Sequence, residues 1–195
     1  MTRYLGTAIR MTILTAILLG LVYPLVITGI SQVVFPGAAN GSLIKVSGRV
    51  VGSSLIAQDF TAAKYFQPRP SAAGAGYNGM DSSASNLGPT NLTLIQRVKA
   101  DVRAQLAKDP GLRYGAVPVD MVTTSGSGLD PDITVANARA QAPRVAAARG
   151  MSLARVLALV SSHTTGRQLG FLGEPRVNVL KLDLALDAAQ GIKGP

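Results

Sequence analysis

Ser125, Asp120 and His163 are the residue types of an acyl-transfer triad. A serine nucleophile needs a base beside it and a third group to orient that base. Ser125 does not stand in a G-x-S-x-G elbow, so the types are present without the local pattern. The same serine opens Ser125-Gly126-Ser127-Gly128-Leu129-Asp130-Pro131. Successive N–H groups of a Gly-rich loop can cradle a phosphate. The G-x-x-x-x-G-K-[ST] pattern is absent, however, which favours a plain strand-to-helix turn with Gly126 and Gly128 at positive φ and Asp130 helping to cap the next helix.

His163 comes after an apolar segment, in HTTGR. It could serve as a base or pH sensor, or simply bond a loop carbonyl. Arg69, Arg167 and Arg176 lie in Gly/Pro-rich segments, where a guanidinium ties loops to carbonyls or carboxylates, and Glu174 is the natural partner. Asp130 and Asp132 are too small a set for a calcium or two-metal site. The chain has 195 residues, one His and no Cys. Disulfides, cysteine zinc sites, iron–sulfur clusters, thiol nucleophiles and multi-histidine metal sites are thereby excluded. The net charge of +9 carries no Lys/Arg run and few interleaved aromatics, so nucleic acid is not an expected partner.

The elements that must position these residues begin with an apolar stretch. No charge occurs from Met11 to Ile44, and mean hydropathy is +0.28. Residues 11–35 are long enough to cross a hydrocarbon core of roughly 30 Å. Pro24 is tolerated in such a span. Ala16 and Gly20 form a small-xxx-small pair that lets another helix approach. A cleaved signal peptide is the rival reading, but its apolar core would be shorter. The expected organisation is a short cytoplasmic tail (1–10, with Arg3 and Arg10), a membrane helix (11–35) and an extracytoplasmic domain (36–195).

The domain reads as α+β. Residues 44–58 are β-branched with Gly/Ser breaks and predict short strands or a hairpin. Residues 67–91 predict a long loop rich in Pro, Gly, Ser and Asn. Residues 91–108 predict a helix, capped at Asn91 or Thr90 and stopped at Asp109-Pro110-Gly111, with Leu94, Ile95, Val98, Val102 and Leu106 as its stripe. Residues 117–123 predict a buried strand, and 133–149 a helix that Pro143 kinks or splits. Ser152 caps a helix over 153–161 with Val156, Leu157 and Val160 inward. Leu180, Leu182, Leu184 and Leu186 alternate with Lys181, Asp183, Ala185 and Asp187, which predicts a half-buried strand over 177–186.

Four strings carry a resemblance: YFQPRPSAAGAGYN at 65–78, SSASNLGPTN at 82–91, VDMVTTSGSGLDPDI at 119–133 and HTTGRQLGFLGEPRVNVLKLDLAL at 163–186. In order, and over nearly the whole chain, they resemble the C subunit of the Kdp potassium-transporting P-type ATPase, the KdpC family. The resemblance implies a single-span subunit of a bacterial inner-membrane potassium pump, with its large domain on the periplasmic side. Its partners would be a channel-like potassium-binding subunit, a P-type ATPase subunit and membrane lipid. ATP and potassium would be handled by those partners, with no cofactor held firmly by this chain.

The family's C subunit is needed for assembly and activity and is described as a catalytic chaperone that raises the ATPase subunit's affinity for ATP. Ser125, Gly126, Ser127, Gly128 and Gln141 match the segment linked to nucleotide in that family. Tyr65, Phe66, Arg69, Tyr77, Asn78, Asn86, Asn91, His163, Arg167, Phe171, Glu174 and Arg176 match its motifs and, with Ala16 and Gly20, are expected to face partners. Asp132 stands where the family often has His. ATP is cytoplasmic, so an extracytoplasmic domain would act on ATP affinity by favouring one conformation of its partner. The alternatives are a membrane-anchored hydrolase using Ser125 and His163, and a secreted binding protein.

Overall fold

The computed structural model describes residues 2–109 and 111–192. Pro110 of the expected helix stop and the side chain of Arg3 lie outside the described residues. The chain divides into two compact units, one ending at Leu43 and the next beginning at Ile44.

In the first unit, α1 (Thr2–Ile17) passes through a π turn (Leu18–Val22) into α2 (Tyr23–Val34), and α3 (Pro36–Ala39) comes next. Tyr4–Val34 is long and apolar enough to cross a membrane, with none of its most apolar stretch buried. The helix thus starts well before residue 11 and includes Arg10. Pro24 falls in the first turn of α2, directly after the π turn, so its missing N–H interrupts the hydrogen-bond ladder of a continuous helix. At the far end Asn40 Nδ2 donates to the Pro36 carbonyl at 2.7 Å and to Gln32 Oε1 at 2.9 Å.

The second unit is a mixed α/β domain. β1 (Leu43–Val46) and β2 (Arg49–Ser53) form a two-stranded sheet, as the Gly/Ser breaks predict. No regular element then occurs until α4 (Leu92–Lys108). Asn91 caps α4 by accepting from Thr93 N at 2.8 Å. Its stripe is only half-covered, and α4 has no fully buried residue. Residues 117–123 are not a strand. They hold a single 3-10 turn (Val119–Met121), because Asp120 turns inward to cap the next elements.

The core forms around β3 (Asp132–Thr134), α5 (Val135–Arg149), α6 (Leu153–Ser162), β4 (Thr164–Thr165), β5 (Arg176–Asn178) and α7 (Val179–Ala189). β5 is the centre of an antiparallel sheet ordered β3-β5-β4, with Ile133 opposite Val177. α5 runs through Pro143 without splitting and ends on Gly150 at φ 62°, the left-handed cap that glycine favours. Ser152 caps α6 at Arg155 N, with Val156 and Val160 buried and Leu157 packed against them.

The expected strand over 177–186 is a correction. Only Val177 and Asn178 are strand, and the leucines lie on α7. The buried positions of α7 are 179, 180, 182, 183, 186 and 187, a helical face. Two of them are aspartates, which made the apolar pattern look like period two in the sequence.

Candidate functional site

The four unusual strings meet in the second unit. Arg69, Asp120, Asp130, Asp132, Thr134, Glu174, Pro175 and Arg176 line a cleft of about 260 Å³. Arg69 Nη1 pairs with Asp130 Oδ2 at 3.4 Å, and Arg176 Nε with Asp132 Oδ2 at 2.8 Å. Arg167 pairs with Glu174 at 2.7 Å on the exposed rim. The expected ion-pair role thus holds for all three arginines, with Glu174 serving Arg167 alone. Asp132 accepts from Arg176 and from Asn178 Nδ2, so its charge is used within the sheet. Asn178 also accepts from Lys181 N and donates to the Ser54 carbonyl, capping α7 and tying down the chain after β2.

Loop 65–91 is locked onto the 123–132 segment. Arg69 donates to the carbonyl of Thr124 at 3.1 Å, and Tyr77 Oη donates to the Arg69 carbonyl at 2.8 Å. Ser82 Oγ donates to the Ser127 carbonyl at 2.9 Å. Gly128 has φ 68°, and a Cβ there would lie 2.6 Å from the Ser83 carbonyl oxygen and 2.7 Å from Ala73 N. Two backbones therefore meet where only glycine fits. Gly126 is not at positive φ, which corrects that expectation. Asp130 accepts from Asp132 N, and α5 is capped instead by Thr134 at Asn137 N, which corrects the expected role of Asp130.

Beneath the cleft lies a buried polar chain. Asp120 accepts from Thr134 N, Thr134 Oγ1 and Asn137 Nδ2. Asn137 Oδ1 accepts from Gln141 Nε2 at 2.7 Å. Gln141 Nε2 also donates to the Gln67 carbonyl, and its Oε1 accepts from Gln67 N and Arg144 Nη2. Both donors and both acceptor sites of this amide are filled, and the residue is 2% exposed. Gln141 therefore has no free group for nucleotide in this conformation. Arg144 continues the chain to Asp109 at 2.6 Å and to the carbonyls of Ala63 and Tyr65.

A second buried group holds α7 to the start of the long loop. Asp187 accepts from Arg149 Nη2 at 2.9 Å and from Tyr65 Oη at 3.0 Å. Asp183 Oδ1 accepts from Phe66 N at 2.8 Å, while its Oδ2 has no partner among the described residues. Burial pushes the Asp183 carboxyl well above the usual carboxylate range, against the opposing pull of the Phe66 N–H and Arg149. Burial, with the bond to Asp187, raises Tyr65 to about 12. Tyr65 and Phe66 are thus core residues. Both were expected to face partners, and in this chain they are packed inside the domain, 6% and 0% exposed.

Other singled-out residues divide by exposure. Asn78, Asn86 and Asn91 are exposed, Asn86 at φ 52° and Asn91 as a helix cap. Phe171 is 68% exposed at the tip of the 166–175 hairpin, beside Leu169 at 83% and Leu172 at 48%. The two leucines were missed in the sequence, because nothing in their spacing separates an exposed tip from a core segment. The hairpin closes through an antiparallel bridge between Gln168 and Leu172.

Ser125, Asp120 and His163 do not assemble. Ser125 Oγ contacts Ser127 Oγ at 3.4 Å, and Asp120 is spent on capping. His163 Nδ1 lies 2.9 Å from the Leu159 carbonyl at the end of α6. No hydrogen bond among the described residues joins nucleophile, base and orienting acid, so the hydrolase alternative loses its geometry.

The fold is that of a helix of membrane-spanning length followed by a mixed α/β domain whose loops are tied into a polar lattice. The family model for KdpC, the c chain of the K+-transporting ATPase, matches residues 5–188. The chain is 53% identical over 195 residues to the potassium-transporting ATPase KdpC subunit of Koribacter versatilis, covering 100% of each. It is 56% identical over 187 residues to that of Rhodospirillum rubrum, covering 96% of each. It is 58% identical over 176 residues to that of Caulobacter vibrioides, covering 90% of this chain and 88% of the relative. The chain belongs to the KdpC family of potassium-transporting ATPase subunits.

Proposed function

We propose that this chain is the non-catalytic C subunit of a high-affinity potassium uptake pump, anchored in the inner membrane with its domain on the periplasmic side. It works through its surface, and it raises the ATP affinity of the ATPase subunit indirectly. The observation that carries this is the contrast between two matched segments. In the nucleotide-linked segment Gln141 is saturated, and Ser125 and Gly128 are buried with Gly128 packed on 71–83, leaving Gly126 and Ser127 exposed. The 166–175 hairpin instead presents Leu169 and Phe171 to solvent. Exposed apolar groups rimmed by an ion pair are the surface expected of a docking site.

That surface continues into an apolar groove. Val135, Pro143, Leu153, Leu157 and Val160 line it, and Gly166 and Pro175 of the hairpin close its edge. The hairpin and groove would seat against the outer face of the partner subunits. By preferring one conformation of that partner, the domain would shift ATP affinity without touching ATP.

Gentle detergent extraction of the tagged chain is the test. A channel-like subunit and a P-type ATPase should co-purify with potassium-stimulated hydrolysis. The topology is checked separately with Ser127→Cys, at an exposed position in a chain that has no other thiol. A thiol reagent that cannot cross membranes should label it in intact cells. Failure to label would place the domain beside the nucleotide and sink the indirect mechanism.

A further inference from the structure

The membrane helix carries an unmet backbone acceptor at its centre. Tyr23 N–H donates to the Leu18 carbonyl, five residues back, as the π turn requires. Pro24 has no N–H to donate. The Leu19 carbonyl therefore loses both its α donor (Tyr23 N) and its π donor (Pro24 N), and the Gly20 carbonyl loses its α donor. Leu19 is midway along Tyr4–Val34. At 1.5 Å per residue it sits roughly 22 Å from either end, at the depth where water is scarcest. An unsatisfied carbonyl in hydrocarbon costs several kcal/mol, so a broken ladder persists in a span where something else donates.

Among the described residues, nothing supplies that donor. Residues 16–22 read Ala-Ile-Leu-Leu-Gly-Leu-Val, without a polar side chain. Thr15 Oγ1 is turned back to the carbonyls of Met11 and Thr12. A second, parallel copy would bring the same donor-free residues to that level. Beside the Leu19 carbonyl there is room, since a Cβ on Gly20 would meet nothing within 4 Å. Ala16, one turn before, carries only a methyl group.

We infer that the π turn at Leu18–Val22 is a docking notch for a membrane helix of a partner subunit, which places a Ser, Thr, Asn or Gln side chain against the Leu19 carbonyl. The inference rests on the reading of this chain as a subunit of a membrane complex, and it names the contact through which the span is held. Ala16 and Gly20 allow the approach, and the side-chain donor from the partner gives it register.

The absence of native cysteine makes the test direct. In the intact membrane complex, a thiol-linked photo-crosslinker is placed singly at Ala16→Cys, Gly20→Cys, Leu14→Cys and Leu21→Cys. Helical periodicity turns the last two away from the notch. The expected result is a cross-link from the first two alone, to a partner membrane segment that contains a hydroxyl or amide side chain. Equal cross-linking from all four, or cross-linking only to a second copy of this chain, would overturn the inference. In parallel, Pro24→Ala restores a donor and lets the ladder close. It should weaken retention of the partner roughly 3- to 30-fold, the range expected for one interhelical hydrogen bond. Unchanged retention with both Pro24→Ala and Gly20→Leu would overturn it. If the unmodified chain retains its partners while these results fail, only the notch is wrong. If it retains none, the subunit reading falls with it.

Discussion

The polar side chains that matter most to this domain are buried. Arg144 is 6% exposed and faces Asp109 at 1%. Removing one partner of such a pair leaves a charge without compensation, whereas the pair itself contributes little net stability. Arg144→Ala should destabilise the domain by about 3–5 kcal/mol, read by denaturant unfolding of the chain in detergent. Gly128→Ala should also be costly, because the backbone at Ser83 and Ala73 cannot yield as a side-chain tip can. A loss of about 2 kcal/mol or more is expected at that site.

Asp183 gives a pH test at the same scale. Its folded carboxyl titrates well above the ordinary aspartate value of 3.8. The folded state therefore holds a proton that the unfolded state releases first. Stability from this group is fully present below about 3.8 and is lost as pH rises through the elevated value. Asp183→Asn keeps an oxygen for Phe66 N–H and has no charge to bury. Its stability should match the native chain at low pH and exceed it increasingly as pH rises through that window. Thermal unfolding of both chains across pH would show this, and a constant difference would refute it.

At the level of elements, α7 explains why the domain was hard to read locally. Its inward face contains Asp183 and Asp187, which meet Phe66 N, Tyr65 Oη and Arg149 from other parts of the chain. Sequence periodicity treats an aspartate as a solvent marker, so the helix looked like a strand. The start of α7 depends on Asn178, which caps Lys181 N and braces Ser54 and Asp132. Asn178→Ala should cost more than the ~1 kcal/mol of an ordinary cap, since two further bonds are lost with it. Hydrogen exchange at Val179–Leu182 would rise if the cap is the controlling feature. The helix over 91–108 was legible because Asn91 and the apolar spacing agree. Its half-covered stripe was not, since coverage depends on what packs against it.

For the whole molecule, ion pairing arranges the charge locally but leaves the net +9 unchanged. Arg69, Arg97, Arg144, Arg149, Arg167 and Arg176 each face a carboxylate within 4.0 Å. Each pair cancels one arginine against one carboxylate, which smooths the local field without lowering the overall excess. The docking reading makes a separate prediction here. Leu169→Asp with Phe171→Asp should leave unfolding nearly unchanged, because both side chains are already exposed. The same double change should reduce recovery of partner subunits about tenfold or more if these groups are anchors. Unfolding and pull-down measured on the same preparation would separate a docking role from a folding role.

The linear sequence alone determined the apolar span, the long loop, the capped helices around Asn91 and Ser152, and family membership through strings too unusual to recur together. Those features depend on local composition and near-neighbour spacing. Tertiary structure decided the rest. It made Gln141 and Arg144 a buried lattice, Tyr65 and Phe66 core residues, and α7 a helix. It left Ser125 and His163 apart. For the lattice, the core aromatics and α7 the physical reason is shared: the hydrogen-bond partner that sets a polar residue's role lies tens of residues away, and only folding brings it within about 3 Å.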